Sequence, residues 1–400
     1  MTSCDTKSIV EWLIDGARSA PRPETVLAEL CEQLVHAGIP LWRVAVFVRT
    51  LHPEIMGRRF IWQPDVGVTI NEGLFDLLET ERFQNSPFVA VMKTGRTIRR
   101  QLADQDNREE FSIFSELRAE GATDYLATPL IFTNDSVHVA TWSTQQGGGF
   151  TDAQVAGIAT IVRPLARVAE IRALQRTASN LLDTYVGHDA GERILAGRIR
   201  RGHTETIHSV IWLSDMRGFT SIADRLPPQK LVDLLNRYFD CQVPAILRHG
   251  GEVLKFIGDG LLAIFPFAEG TAETRETCLR GLAAAREAEV NIDAIDTFTD
   301  THGVRFGLAL HIGEVLYGNI GSGNRLDFTC IGPAVNLAAR LEKLAAGLGR
   351  TIILSADFAQ QSEVDLEPLG EFTVAGFAAA QRAFGLPAGS AVKPAGLNDL

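Results

Sequence analysis

The chain of 400 residues is 46% hydrophobic and carries 38 basic against 49 acidic side chains, a formal net charge of −11. That length suits two ordinary domains, and that apolar fraction is typical of globular rather than disordered proteins. The acidity argues against a general nucleic-acid binder, and no apolar run is long enough to span a membrane. Five scattered cysteines without CxxC spacing disfavour a disulfide scaffold and a zinc site. Together with the lack of a secretory signal, they predict a cytoplasmic protein.

The first half of the chain predicts helices around an antiparallel sheet. Apolar residues at helical spacing, from Ile9 and again from Val26, indicate two helices. Four β-rich runs follow, the last two typical of a hairpin, at 42–48, 59–62, 125–132 and 137–142. A loop at 147–152 then leads into a long helix. This order of elements resembles a GAF-like sensory domain over residues 1–162, open to a small-molecule effector, or else a dimerisation domain that senses nothing.

Residues 163–204 predict a helical linker between two domains. Apolar side chains recur there at spacings of three and four, as in a short parallel coiled coil between subunits, at Leu165, Val168, Ile171, Leu174, Leu181, Leu182 and Tyr185. Gly187 and Gly191 are expected to interrupt the helix. If this coiled coil forms, it would transmit conformational changes in the first domain to the second. The last residues, 388–400, predict a loose tail.

The segment 205–387 alternates strands and helices and predicts an α+β domain. A β-rich run at 207–213 precedes a helix at 228–247, which we expect to be broken near Pro244. Two runs around Gly258-Asp259-Gly260 predict a β-hairpin. The elements that follow are a helix at 271–298, strands at 304–311 and 328–331, and a helix at 334–348.

Two aspartates lie where a metal ion could be held. Asp215 ends the first strand of the domain, and Asp259 lies at the tip of the hairpin. Carboxylates at adjacent strand ends suit Mg²⁺, which takes oxygen ligands and leaves positions open for phosphates. The alternative is that Asp215 caps a helix and Asp259 only forms a turn, positions that aspartate favours.

Three other polar side chains suggest contacts with a nucleotide. Lys255 interrupts an apolar strand, and alternation places it on one face with Val253 and Ile257, so we expect it to meet an acceptor. Asn336 and Arg340 are four residues apart and share a helix face. Arginine suits phosphate oxygens and asparagine a sugar oxygen, although an exposed polar stripe or a surface salt bridge with Glu342 would also explain the pair.

Four motifs in this order resemble the catalytic domain of class III adenylate and guanylate cyclases. They are Ser214-Asp215-Met216-Arg217-Gly218-Phe219-Thr220, Lys255-Phe256-Ile257-Gly258-Asp259-Gly260, Gly313-Glu314-Val315 with Gly318-Asn319-Ile320-Gly321, and Asp327-Phe328-Thr329-Cys330-Ile331-Gly332 leading to Asn336-Leu337-Ala338-Ala339-Arg340. The resemblance implies a ferredoxin-like βαββαβ fold over 205–387. It also implies an adenylate cyclase, a phosphorus–oxygen lyase that converts ATP to 3′,5′-cyclic AMP and pyrophosphate for signalling.

The resemblance assigns roles to the matched residues. Asp215 and Asp259 would bind two Mg²⁺ or Mn²⁺ ions, and the turn Met216-Arg217-Gly218-Phe219-Thr220 would contact the phosphates. Lys255 and Thr329 would select adenine, with threonine marking an ATP-preferring subgroup. Asn336 would orient the ribose, and Arg340 would stabilise the charged transition state. Pro333 departs from the aspartate that the subgroup usually has before this helix.

Lys255 and Asp259 lie on one short hairpin but would serve opposite ends of ATP. The family's solution is a head-to-tail homodimer, in which each site takes the two aspartates from one subunit and the other four residues from its partner. Two alternatives stay open: a catalytically silent, nucleotide-binding regulatory relative, and a guanylate cyclase. A polymerase-like enzyme would also use paired carboxylates, but it needs a basic template groove that this acidic chain does not promise.

Overall fold

A computed structural model of the chain describes residues 5–102, 111–268, 270–295 and 304–387. The predicted tail at 388–400 and the end of the helix predicted to reach residue 298 lie outside the described residues. The chain divides into two compact units, Met1–Leu181 and Leu182–Leu400. Within the described ranges, every helix is too short or too polar to cross a membrane.

The first unit is built on a six-stranded antiparallel sheet in the order β3-β2-β1-β6-β5-β4. Its strands are β1 (Arg43–Arg49), β2 (Ile55–Gln63), β3 (Gly67–Leu74), β4 (Ile98–Gln101), β5 (Asp124–Ile131) and β6 (Val137–Thr144). The predicted hairpin is confirmed as β5 and β6. Neither β3 nor β4 was predicted, because most residues of β3 are exposed and mix polar with apolar side chains, and β4 has only four residues.

Helices cover both faces of this sheet. They are α1 (Lys7–Ile14), α2 (Pro23–His36), α3 (Glu81–Gln84), α4 (Pro87–Thr94), α5 (Ser112–Ala119) and α6 (Asp152–Val186), with a 3₁₀ turn at Phe75–Glu79. Apolar side chains of α1, α2 and α6 form one core with Trp142 of the sheet. Those of α4 and α5 form a second core with Tyr125. The predicted sheet enclosed by helices is therefore present, and its long exit helix is α6.

The segment predicted as a linker is divided between the two units. Leu165 and Val168 of α6 are buried in the first unit, whereas Ile171 and Leu174 further along the helix are exposed. Tyr185, 79% exposed, continues this apolar stripe. Within a single chain, these three apolar side chains of α6 are therefore exposed and available for a contact with a second subunit.

Only one of the two glycines interrupts the helix as predicted. Gly187, at a φ of 90°, separates α6 from α7 (His188–Leu195). Gly191 instead lies within α7, so that prediction was wrong. A Cβ at Gly191 would lie 3.0 Å from Asp183 Oδ1 and 3.2 Å from Leu182 Cβ, closer than usual, so tight packing rather than a break explains this glycine.

The second unit is built on an eight-stranded sheet in which β10-β7-β9-β8 has the strand order of a ferredoxin-like βαββαβ fold. Its strands are β7 (Thr204–Met216), β8 (Glu252–Ile257), β9 (Gly260–Phe267), β10 (Phe306–Ser322), β11 (Arg325–Ile331), β12 (Ile352–Ser355), β13 (Glu367–Phe372) and β14 (Gln381–Gly385). Strand β12 runs parallel to β10, and β11 pairs with the far end of β10. The predicted α+β class is confirmed for this unit.

The helices of the second unit are α7, α8 (Phe219–Ala223), α9 (Pro228–Arg248), α10 (Thr271–Asp293), α11 (Pro333–Gly347) and α12 (Ala356–Ser362). The prediction that α9 breaks near Pro244 was wrong, because the helix continues to Arg248. The residues directly after the proline, Ala245 and Ile246, are fully buried in the core, and this packing offsets the lost backbone hydrogen bond. Pro333 occupies the first turn of α11, where proline is tolerated.

Candidate active site

The first aspartate is held at the end of the central strand by a buried polar network. Asp215 lies next to the end of β7, directly after Ser214. The Trp212 indole donates to Ser214 Oγ at 3.2 Å, and that hydroxyl donates to Gln242 Oε1 of α9 at 2.6 Å. Buried polar groups that satisfy one another fix their own positions. The strand end that presents Asp215 is therefore anchored to α9.

Asp215 and Asp259 are neighbours in the structure. Ser214 of β7 pairs with Leu261 of β9, so the turn between β8 and β9, which carries Asp259, lies beside the end of β7. Partial burial, the adjacent Asp259 carboxyl and then Glu342 raise the pKa of Asp215 to about 7. Two carboxylates this close repel each other, and a divalent cation between them would relieve that repulsion.

A largely buried ion pair lies close to the two aspartates. Arg217 Nη1 is 2.9 Å from Glu342 Oε1 of α11, and Arg217 also donates to the Glu342 carbonyl at 3.2 Å. The guanidinium packs across Gly307 of β10, where any side chain would occupy its space. Burial raises the pKa of Glu342, and Arg217 opposes that shift. The pair joins the end of β7 to α11 and adds one more acid close to Asp215 and Asp259.

These two aspartates fit a divalent metal site. Magnesium is often held by one or two carboxylates and completes its coordination with substrate phosphates. Within the described ranges, no cluster of three or more His, Cys, Asp or Glu side chains is arranged to hold a metal. Asp215 and Asp259, whose carboxyl groups are neighbours, are the candidate protein ligands at this position.

The raised pKa of Asp215 predicts a pH-dependent effect of metal on stability. Its folded pKa, about 7, exceeds its ordinary value of 3.8, so the folded chain binds more protons than the unfolded chain between these values. Stability due to this group therefore falls as pH rises from about 4 to about 7. At pH 8, Mn²⁺ should raise Tm over an EDTA control by about 2–4 °C, and at pH 5.5 the gain should shrink.

Differential scanning fluorimetry at both pH values measures this gain. Asp259→Asn removes one of the two charges, so its Tm in EDTA at pH 8 should equal or exceed that of the wild type, and the Mn²⁺ gain should largely disappear. An equal gain at both pH values, or an undiminished gain in Asp259→Asn, would show that the metal binds elsewhere.

Lys255 lies on a different face of its strand from the one predicted. The register of β8 and β9 shifts between Val253, opposite Ala263, and Lys255, opposite Leu262. Leu254 is the additional residue of a β-bulge, so simple alternation fails after Val253. Lys255 consequently shares the face of Leu262, towards β11, and not the face of Val253.

The expected acceptor for Lys255 is Asp327 of β11. Lys255 Nζ lies 3.2 Å from Asp327 Oδ2, and the two side chains are 35% and 63% exposed. An exposed pair of this kind contributes little to stability. The ammonium has three donors, so it can keep this bond and still donate to a ligand.

Thr329 is two residues from Asp327 on β11 and therefore lies on the same face of the strand. The residue is buried, and its Oγ1 has no hydrogen-bond partner among the described residues. An unpaired buried hydroxyl costs about 1–3 kcal/mol. Any contact with a ligand requires the hydroxyl to become accessible.

Asn336 and Arg340 lie on the exposed side of α11. Within the described part of the chain, neither side chain has a recorded partner, and both are exposed. Two residues beyond Arg340, Glu342 points about 200° around the helix and is buried against Arg217. The surface salt bridge considered for Arg340 and Glu342 is thus not formed. In one chain, Asn336 and Arg340 face away from the side of α11 that meets Asp215 and Asp259.

Some residues of the predicted phosphate-binding turn are buried or paired within the protein, and others are exposed. Met216 is buried, and the Arg217 guanidinium is occupied by Glu342. Gly218 adopts a φ of 73° ahead of α8, while Phe219 begins that helix and Thr220 is exposed. The Arg217 N–H donates to the Arg305 carbonyl at 2.8 Å, so the parts of this turn that are open to a ligand are Thr220 and the backbone N–H groups of 218–220.

Two residues near the site were not predicted from the sequence. From the sequence alone, Glu342 is considered only as a surface partner of Arg340, and Asp327 belongs to a motif without a role of its own. Glu342 stands among apolar residues of α11, which is a signal for burial, but its partner Arg217 is 125 positions away along the chain. Asp327 shares a face with Thr329, a signal that alternation along β11 would have given.

Comparisons with known proteins agree with this architecture. The family described as the adenylate and guanylate cyclase catalytic domain matches residues 203–385. "Adenylate cyclase 2" of Rhizobium meliloti is 30% identical over 256 residues, which are 62% of this chain and 68% of that protein. "Adenylate cyclase, terminal-differentiation specific" of Dictyostelium discoideum is 33% identical over 150 residues, 36% of this chain and 7% of that protein. This chain therefore spans only a small part of the Dictyostelium relative.

Among solved structures, a bacterial light-regulated adenylyl cyclase is 27% identical, with a TM-score of 0.40 over 46% of this chain and 91% of that one. The family match covers nearly all described residues of the second unit, which is therefore a nucleotide cyclase catalytic domain. The chain belongs to the class III adenylate and guanylate cyclase family.

Proposed function

We propose that this protein is an adenylate cyclase that converts ATP to 3′,5′-cyclic AMP and pyrophosphate. The observation that carries the proposal is the convergence of Asp215 and Asp259 beside the Arg217–Glu342 pair, in a cyclase catalytic domain. The reaction is attack of the ribose 3′-oxygen on the α-phosphorus. Positioning and charge stabilisation supply most of the catalysis of such a phosphoryl transfer, so no side-chain nucleophile is needed.

Asp215 and Asp259 would hold two Mg²⁺ or Mn²⁺ ions. When bound, these ions supply acidification of the 3′-hydroxyl and neutralisation of phosphate charge. The chain's own residues orient the reactants. Arg340 places a planar guanidinium at the charge that develops on the phosphate, Asn336 orients the ribose, and the backbone N–H groups of 218–220 contact the phosphates.

Each active site would be completed by a second copy of the chain, arranged head to tail. Within one chain, Asn336 and Arg340 face away from the side of α11 that approaches the aspartates. Two apolar side chains next to Lys255, Phe256 and Ile257, are also 53% exposed on this unit. Exposed apolar patches of this kind are typical of interfaces. In the proposed homodimer, Lys255, Thr329, Asn336 and Arg340 of one subunit meet the two aspartates of its partner.

Lys255 supports ATP as the substrate. Lysine only donates hydrogen bonds, which suits the acceptor N1 of adenine and opposes the N1–H of guanine. Asp327 holds the ammonium at 3.2 Å, which would orient it before the base arrives. Thr329 would then contribute the second base contact, as in the ATP-preferring threonine subgroup.

Incubating the purified protein with Mn²⁺ and either nucleotide tests the proposal. ATP should give cyclic AMP, and GTP should give little cyclic GMP. Lys255→Glu should lower kcat/KM for ATP by about 10–100-fold, because the carboxylate cannot donate to adenine and faces Asp327. Lys93→Glu, an equal charge change on α4 of the first unit, should behave as the wild type. Product from GTP alone would contradict the assignment of Lys255, and no product from either nucleotide would favour a silent relative.

The first unit would be a GAF-like regulatory domain in the cytoplasm. Its support is a helix-enclosed antiparallel sheet and a long exit helix, α6, that carries exposed Ile171, Leu174 and Tyr185. Such a stripe suits pairing with the same helix of a second subunit. A change in the first unit would then reach the catalytic domains through α6.

A further inference from the structure

A cavity of about 410 Å³ lies in the first unit between the sheet and two helices. Its apolar wall continues one face of the sheet, where Val46 is opposite Phe60 and Phe60 is opposite Ile70. The same face carries the buried Val44 and Trp62 of the main core. The cavity is therefore the end of this core that the protein's own side chains leave unfilled, and its volume is in the range of small-molecule sites.

The opposite wall of the cavity comes from α2 and α6. Val26 and Leu27 contribute from α2, and Leu165, Val168 and Ala173 from α6. All five side chains are apolar and either belong to the surrounding core or pack against it. A ligand there would contact the sheet and the exit helix at once.

Arginines are concentrated at this otherwise apolar cavity. Its lining includes five of them, Arg22, Arg49, Arg58, Arg172 and Arg176, against the single acid Glu24. Arg22 pairs with Glu24, and Arg58 with Glu72. Arg172 donates to the carbonyl of Ala20 and to Gln175. Within the described ranges, Arg49 and Arg176 have no side-chain partner, so three positive charges have no carboxylate opposite them.

Two buried polar atoms at the cavity also have no partner among the described residues. They are Nε of Arg58 and Oγ1 of Thr50. Leaving such atoms unpaired is costly, and the acceptor oxygens of a ligand would satisfy them once the two side chains turn towards the cavity. The second large cavity of this unit, lined in part by Arg163 of α6, differs in this respect, since none of its described lining residues has such an atom.

We infer that this cavity binds an amphipathic carboxylate, with its apolar body between the sheet and α6 and its carboxylate on the arginines. Guanidinium groups bind carboxylates through paired hydrogen bonds, and the apolar walls accept a hydrocarbon chain. The inference concerns binding to the first unit and does not depend on the proposed catalytic activity.

Calorimetric titration of the full chain below the critical micelle concentration tests this site with three probes of equal chain length. Decanoate should bind saturably, and decanol and decyltrimethylammonium should bind at least about tenfold more weakly, because they lack the anionic head. The double variant Arg49→Gln/Arg176→Gln changes exposed side chains and should weaken decanoate about tenfold or more. Ala173→Phe should block binding by filling the cavity while every charge remains.

Arg163→Gln is the matched control, because it removes an arginine of the same helix from the other cavity. It should leave decanoate affinity unchanged. Equal affinity for decanol, no saturable binding, or loss of binding in Arg163→Gln but not in the double variant would overturn the inference. If the proposed regulation also holds, decanoate changes the rate of cyclic AMP formation with the same half-saturation. Intact binding with an unchanged rate would support the site and count against regulation through it.

Discussion

Asp259→Asn protein should form cyclic AMP about a thousandfold more slowly than the wild type. The substitution keeps the shape of the side chain in the turn between β8 and β9 but removes the charge that would hold a divalent cation with Asp215. Losing that contribution to the transition state costs about 4 kcal/mol, which is a factor of about a thousand in rate. Initial rates with saturating ATP and Mn²⁺ measure the effect.

The control for this loss is Asp224→Asn, an identical change at an exposed residue that follows α8. It should retain the wild-type rate. Because Asp259→Asn relieves repulsion with Asp215, its thermal stability should be preserved, and a lost rate cannot then be attributed to unfolding. A rate within about tenfold of the wild type would show that Asp259 does not hold a catalytic metal.

Mixing two inactive variants should restore activity. Asp215→Ala and Asn336→Ala should each lose most of their activity as homodimers, since every site then has one defect. A heterodimer would place both defects in one site and leave the other intact. With random pairing, about half of the dimers are heterodimers with one working site of two, so about a quarter of the wild-type rate is expected.

A second mixture of variants is the matched control for this experiment. Asp215→Ala mixed with Asp259→Ala should recover nothing, because both residues come from the same subunit of each site and both sites stay defective. Two affinity tags, purified in sequence, isolate the heterodimers before the assay. Verified Asp215→Ala/Asn336→Ala heterodimers without activity would contradict shared sites, and recovery in the control pair would contradict the assignment of both aspartates to one subunit.

The pairing of Asp215 and Asp259 could be predicted because local signals specified each residue. Asp215 follows a β-rich run, and Asp259 stands in a Gly-Asp-Gly turn, so each was placed at a strand end without knowledge of the rest. Local signals were also sufficient to predict the helix that carries Asn336 and Arg340. The position of this pair on the face of α11 opposite Glu342 could not be predicted, because it depends on Glu342 meeting Arg217 of a distant strand end.

Tertiary packing explains the elements that the sequence did not predict. Pro244 normally breaks helices, but the buried residues beside it keep α9 continuous. Gly191 resembles a helix break, yet it serves close packing with Leu182. In the first unit, β3 is mostly exposed, and its place in the sheet comes from pairing with β2 rather than from a buried apolar face.

The bulge at Leu254 determines which face of β8 carries Lys255. If Leu254 took its place in a regular ladder, Lys255 would lie opposite Leu261 and share the face of Val253, away from Leu262 and Asp327. The identity of the residue at position 255 therefore does not by itself decide where the ammonium lies, because the register of the strand decides the face. A comparison that aligns related chains by residue identity alone would miss the loss of this bulge, which keeps the lysine in the sequence and turns it to the other face.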